Sequence, residues 1–170
     1  MNIKIGIDIG NVIIGGDTDR PDIFFTDDYL DCPPIQDSLE SIANLSKVVG
    51  PENVHLVSKC APRVERKSID WLRHRDFTGL TGIAEGNLHF CRKRKEKRKL
   101  SDQLGLNYFI DDRYTVLMHL LDLPEMRRMY LFRAWGDEET AYEEAGRPGN
   151  VVRADSWEAV TADLGPLLQS

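Results

Sequence analysis

The chain has 170 residues, 22 of them basic and 28 acidic, with 41% hydrophobic content and a net charge of −6 at neutral pH. That length suits one domain spanning residues 1–170, with a core large enough to need neither disulfides nor a structural metal. The acidic balance argues against a generally cationic nucleic-acid binder, and neither charge nor hydrophobicity is extreme enough for disorder.

Residues 3–9 are short, apolar and rich in isoleucine, and Gly10 follows, which predicts a buried strand. Residues 15–34 are polar and irregular, with clustered Gly, Asp and Pro closed by Pro33-Pro34, and a loop of this length tends to be functional or mobile. A helical period runs from about Ile35 to Val49, with Leu39, Ile42, Ala43 and Leu45 on one face, and Pro51 breaks it. A second strand, Val54 to Val57, ends at Ser58-Lys59. Residues 62–75 predict a helix with Val64, Ile69, Trp71 and Leu72 on its apolar side, and Asn87 to Cys91 a third strand.

The next helix, about 93–104, is charged at its start and stops at Gly105. Asn107 to Ile110 reads as a fourth strand, with Asp111-Asp112 just past its end. A helix over about 114–121, a fifth strand from Met129 to Phe132, a short sixth at Val151-Val152 and a last helix containing Trp157, Val160 and Leu164 complete the chain. The acidic stretch Asp137 to Glu144 reads as an exposed loop or helix, and Trp71, Trp135 and Trp157 as packing residues.

Strands alternating with helices at this spacing imply βα units and a parallel sheet covered on both faces. In such sheets ligands bind beyond the carboxyl ends of the strands, where Asp8, Ser58 and Asp111-Asp112 all fall. Three carboxylates in one crevice raise one another's pKa unless a cation offsets them. Mg2+ suits that need, because it takes one or two carboxylates and also accepts phosphate oxygens. One carboxylate is then a candidate nucleophile, with Lys97 and Ser58 as candidates to receive a phosphate. Each residue also has a plainer reading: Asp8 as an Asx-turn, Asp111-Asp112 as a helix cap, Ser58 as a turn residue.

The order Asp8-Ile9-Gly10-Asn11-Val12, strand-Ser58, Lys97, then Phe109-Ile110-Asp111-Asp112-Arg113 resembles the haloacid dehalogenase (HAD) superfamily of aspartate-nucleophile hydrolases, over about residues 3–132. The spacing from Lys97 to Leu104-Gly105-Leu106 and the Ile-Asp-Asp-Arg ending look most like the small branch related to 5′(3′)-deoxyribonucleotidases. The resemblance implies a three-layer α/β/α Rossmann-like fold with little or no cap and a Mg2+-dependent phosphohydrolase acting on a phosphomonoester, with nucleotides among the candidates. It implies Asp8 as nucleophile, Lys97 as the cation beside it, and Ile9, Gly10, Ser58 and Lys59 around the phosphoryl group. It implies Asp8, the Gly10 carbonyl, Asp111 and Asp112 as metal ligands.

One departure concerns turnover. Phosphatases of this superfamily usually carry a second aspartate two residues after the nucleophile as general acid and base, and here Gly10 stands in that place. Loss of a general acid costs about 10²–10⁴-fold in rate. Asp17, Asp22, Asp27 or Asp28 in the 15–34 segment are candidates to reach in as replacements, and that segment is the one available flap or minimal cap. The alternative is a HAD-fold protein impaired in catalysis that binds a phosphorylated ligand or a protein partner.

Arg92 to Lys99 holds seven basic residues against one acid, so a net charge of +6 sits in eight residues. Such a run is usually a solvated helix face. No aromatic is interleaved with it, which argues against a nucleic-acid patch. His55, His74, His89 and His119 are too scattered for a metal cluster. Cys32, Cys60 and Cys91 form no CxxC and fit a reducing, cytoplasmic setting. Asp8 and Asn11 interrupt the apolar N-terminus, no cleavage signal follows, and no run reaches the roughly 18 residues a membrane span needs, which argues against a membrane, while the resemblance implies a phosphorylated small molecule as partner.

Overall fold

The computed structural model describes residues 2–170. Six short runs of apolar and β-branched residues form β1 (Ile5–Ile7), β2 (Val54–Lys59), β3 (Leu88–Cys91), β4 (Tyr108–Asp111), β5 (Arg128–Phe132) and β6 (Val151–Ala154). They join in one sheet of order β3-β2-β1-β4-β5-β6, with every neighbouring pair parallel. The order reverses between β1 and β4, and in sheets of this topology the crevice at that reversal is where ligands bind.

Side chains alternate between the two faces of the sheet, as strand geometry requires. Ile5, Ile7, Tyr108, Ile110, Tyr130 and Phe132 enter one core, while Phe109, Met129 and Leu131 enter the other. The first core is closed by α1 (Ser38–Val49), α2 (Pro62–His74), α3 (Phe77–Thr81) and α7 (Trp157–Leu168), through Ile42, Leu45, Trp71, Phe77, Trp157 and Leu164. The second is closed by α4 (Glu96–Leu104), α5 (Tyr114–Leu117) and α6 (Asp137–Glu144). Gly6 makes that second closure possible, since a β-carbon there would lie 2.6 Å from Leu106 and 2.7 Å from Phe109. The architecture is the expected three-layer α/β/α Rossmann-like fold.

Boundaries differ from expectation where the backbone turns early. The first strand is confined to Ile5–Ile7, because Ile9 is already in a turn whose carbonyl accepts the N–H groups of Val12, Ile13 and Ile14. Asp111 is the last residue of β4 rather than a residue beyond it. The helix expected over 114–121 is a single turn, and α3 was not anticipated.

Residues 15–34 are irregular, as read, but not loose. Two short 3₁₀ turns, Ile23–Phe25 and Tyr29–Asp31, are tied down onto α2. The Lys67 ammonium donates to the carbonyls of Phe24 and Thr26 at 3.2 and 2.9 Å, and the Trp71 indole N–H and the Arg75 guanidinium both donate to the Cys32 carbonyl. Among the described residues, no helix is long and apolar enough to cross a membrane.

Candidate active site

Three strand ends and one helix start converge at the reversal point. Asp8 directly follows β1, and its N–H donates to the Ile110 carbonyl at 2.9 Å, which fixes it against β4. Asn11 takes the left-handed conformation at φ 61°, which Asn tolerates better than most residues, and the turn over 9–14 exposes its backbone to the crevice. Ser58 and Lys59 end β2, Asp111 ends β4 with Asp112 next to it, and Lys97 sits in the first turn of α4.

The Lys97 ammonium, only 2% exposed, donates to Asp8 Oδ1 at 3.0 Å and to Asp111 Oδ2 at 2.7 Å. Carboxylate oxygens of Asp8, Asp111 and Asp112 all lie within 4.8 Å of one another. Asp111 also accepts the Arg113 N–H at 2.9 Å. Burial disfavours the charged form of both Asp111 and Asp112, and their negative neighbours push in the same direction, so both pKa values lie above the usual carboxylate range. Burial would lower the pKa of Lys97, but the Asp111 and Asp8 carboxylates outweigh it and hold the ammonium charged. With all four groups ionised, three carboxylates face one buried ammonium, which leaves an excess of two negative charges in a crevice lined with hard oxygen donors. This donor set and charge fit a divalent, oxygen-preferring cation such as Mg2+.

The residues singled out in the sequence lie at this end of the sheet, with Ile9, Lys97 and Asp111 buried. Asp8, Gly10, Ser58, Lys59 and Asp112 line one cleft of about 360 Å³, whose outer wall is Pro21, Phe24, Phe25 and Cys32 from the 15–34 segment. The acids suggested as replacements for a second aspartate are not part of that lining. Asp17 instead pairs with Arg133 at 3.4 Å, and Asp28 with Arg20 at 2.9 Å.

Most of the basic run is also accounted for. Arg92 pairs with Glu65, Arg98 with Asp122, and Arg94 donates to the Thr115 hydroxyl at 2.7 Å, while Lys93, Lys95 and Lys99 are exposed. Two features escaped the sequence. Trp135, read as a packing residue, is 81% exposed beside the site, whereas Trp71 and Trp157 are fully buried as expected. His55 and His89, distant in sequence, face one another across β2 and β3 with ring nitrogens 3.1 Å apart. Nothing local marks either feature. Only the strand register and the β5–α6 turn bring them where they are.

No protein-family model matches the chain, and no curated protein matches it in sequence. A solved structure does. The D,D-heptose 1,7-bisphosphate phosphatase from Burkholderia thailandensis superposes with a TM-score of 0.56 at 14% sequence identity, over 95% of this chain and 97% of that one. At that identity the likeness bears on the fold.

Proposed function

We propose that the chain is a Mg2+-dependent phosphohydrolase of the HAD superfamily, acting on a phosphomonoester through Asp8. The observation that carries this reading is the buried Asp8–Lys97–Asp111 network with Asp112 beside it, at the strand-order reversal. A lysine buried between two carboxylates, with a third left over, is costly as a purely structural device. It suits a site that handles a doubly charged cation and a phosphate. The fold shared with a phosphatase supports the same reading.

Asp8, Asp111, Asp112 and the Gly10 carbonyl would hold the cation, which when bound offsets the charge of the carboxylates and of the incoming phosphoryl group. The chain's own residues supply the rest. Lys97 holds the Asp8 carboxylate in place through its hydrogen bond. The Ser58 hydroxyl, Lys59 and the backbone N–H groups of Ile9 and Gly10 receive phosphoryl oxygens. An Asp8 oxygen attacks phosphorus, the ester oxygen leaves and takes a proton, and water then cleaves the aspartyl-phosphate. With Gly10 in place of an acid, that proton comes from solvent, which favours esters with good leaving groups.

The 15–34 segment serves as a minimal flap on a single domain, the setting is cytoplasmic, and nucleotides belong on the list of substrates to test. Gly10 favours a second reading, a HAD-fold protein that binds a phosphorylated ligand or partner without useful turnover.

Hydrolysis of p-nitrophenyl phosphate, with Mg2+ or with EDTA, separates the two. An activated aryl ester needs little help from an acid. We expect Mg2+-dependent turnover that falls at least about 10³-fold in Asp8→Asn with the fold retained by circular dichroism. Unchanged turnover in Asp8→Asn would remove Asp8 as nucleophile, and no turnover in the wild type would leave the binding reading.

A further inference from the structure

Trp135 is the most exposed large apolar side chain among the described residues, at 81%. It lies just beyond β5, at the same end of the sheet as Asp8, Ser58 and Asp111. The backbone around it is held in an unusual shape. Arg133 has φ 48° and Gly136 φ 57°, while Ala134 between them is buried, so the turn directs the indole outward and puts the small residue inward. A non-glycine residue in the left-handed region costs about 1 kcal/mol, and such strain is concentrated at ligand-binding turns.

Trp135 lines a second cleft of about 440 Å³ together with Asn11, Arg94, Asp112, Arg113, Thr115 and the first residues of α6. Asn11, Asp112 and Arg113 also line the cleft that holds Asp8 and Ser58, so the two clefts meet at those three residues. The wall of the second cleft is braced. Arg94 donates to the Thr115 hydroxyl, which itself donates to the Glu138 carboxylate. An indole face exposed to water beside a braced polar wall offers an apolar platform with hydrogen-bonding groups at its edge. That combination takes a ring with one flat or apolar face and polar substituents.

We propose that Trp135 is a specificity-determining residue, forming a subsite on which the ring of the substrate's alcohol portion packs while its phosphoryl group lies at Asp8. This rests on the reading of Asp8, Ser58 and Lys97 as the phosphoryl site. The ring chemistry has two sources, a nucleobase or a pyranose, and both belong to phosphomonoesters of a size the joined clefts admit. A protein surface is disfavoured, because the other residues lining the Trp135 cleft are polar or charged and form no apolar patch with it.

The test compares wild type, Trp135→Ala and Trp135→Phe on nucleoside 5′-monophosphates, glucose 6-phosphate and glycerol phosphate, the last having no ring. In parallel, indole fluorescence is titrated with the same esters in Asp8→Asn, where Trp71 and Trp157 are buried and Trp135 supplies the exposed signal. We expect a ring-bearing ester to quench Trp135 saturably, and the ratio of its kcat/KM to that of glycerol phosphate to fall about tenfold in Trp135→Ala, mainly through KM, with recovery in Trp135→Phe. The nucleotide and sugar arms identify the ring.

An equal loss on all esters, or no loss on any, overturns the subsite even if hydrolysis is intact. If no ester is hydrolysed, the titration still decides. Ring-selective quenching with about tenfold weaker binding in Asp8→Asn carrying Trp135→Ala, followed by calorimetry, upholds the subsite and removes only the phosphatase reading. Its absence overturns both.

Discussion

Gly10 lies two residues after Asp8, and nothing stands within 4 Å of the point a β-carbon there would occupy. Its φ is not among the positive values in the chain, so its backbone is one any residue can adopt. Neither crowding at a β-carbon nor a positive φ therefore explains the missing carboxylate. An aspartate placed there by Gly10→Asp would stand in the lining of the Asp8 cleft, within the turn whose backbone is already fixed by the Ile9 carbonyl. We expect this change to raise kcat on an alkyl ester such as glycerol phosphate by about 10²-fold or more, the usual worth of a general acid, and to change p-nitrophenyl phosphate turnover far less. Equal effects on the two esters would show that leaving-group protonation is not what limits the wild-type chain. At this scale the sequence was nearly sufficient, because Asp8, Ser58 and Asp111 each close an apolar run short enough to read as a strand, and strand ends in a parallel sheet share one side. Only the family resemblance singled out Lys97, since by residue type alone the buried lysine is indistinguishable from its six basic neighbours and differs from them only in its contacts.

Elements carry the outer half of the site. The irregular stretch before α1 was legible as a long loop but not as an ordered one, because what orders it lies some forty residues downstream. Lys67 and Trp71 on α2 and Arg75 at its C-terminal cap recur at a spacing of four, so one side of that helix and its end present three donors to the carbonyls of Phe24, Thr26 and Cys32. Trp71 is buried as its place on the apolar side of the helix predicted, and Lys67, which no sequence feature singled out, is buried beside it. The Lys67 ammonium also lies 5.0 Å from the centre of the Tyr29 ring, which donates its hydroxyl to Asp70. Hydrogen bonds to a charged group contribute about 1.5–3 kcal/mol each. Lys67→Met keeps much of the packing and removes the donors, so it should lower global stability by about 2 kcal/mol and speed amide hydrogen exchange in residues 20–32 ahead of the rest of the chain. Unchanged exchange there would mean that Trp71 and the apolar contacts of Ile23 suffice to hold the segment against the cleft.

For the molecule as a whole, acid response divides between two sites of opposite sign. His55 on β2 is buried beside His89 and Lys4, and burial followed by those two neighbours lowers its pKa to about 4, from an ordinary value near 6.5. Burial lowers His89 as well. Between those two values the unfolded chain binds a proton at this position that the folded chain refuses, so stability falls as pH drops from 6.5 toward 4. Asp111 and Asp112 behave in reverse, because their raised pKa values let the metal-free fold take up protons before the unfolded chain does, which favours the fold as pH falls. A wild-type titration alone would therefore mix the two. The difference between wild type and His55→Gln isolates the histidine, since the carboxylates are common to both proteins. We expect denaturant-derived stability of the wild type to lose about 2 kcal/mol more than His55→Gln between pH 7 and pH 4, less than the full shift would give at 1.36 kcal/mol per unit because the pair lies next to β3 at the sheet edge and keeps some solvent. The same experiment with saturating Mg2+ should leave that difference in place while altering both curves, because a cation held as proposed would act on the carboxylates at the far end of the strands and not on the imidazoles. Parallel curves for the two proteins would show that His55 is protonated as readily in the fold as in the unfolded chain, and that the imidazole pair shares a proton across its 3.1 Å contact instead of excluding one.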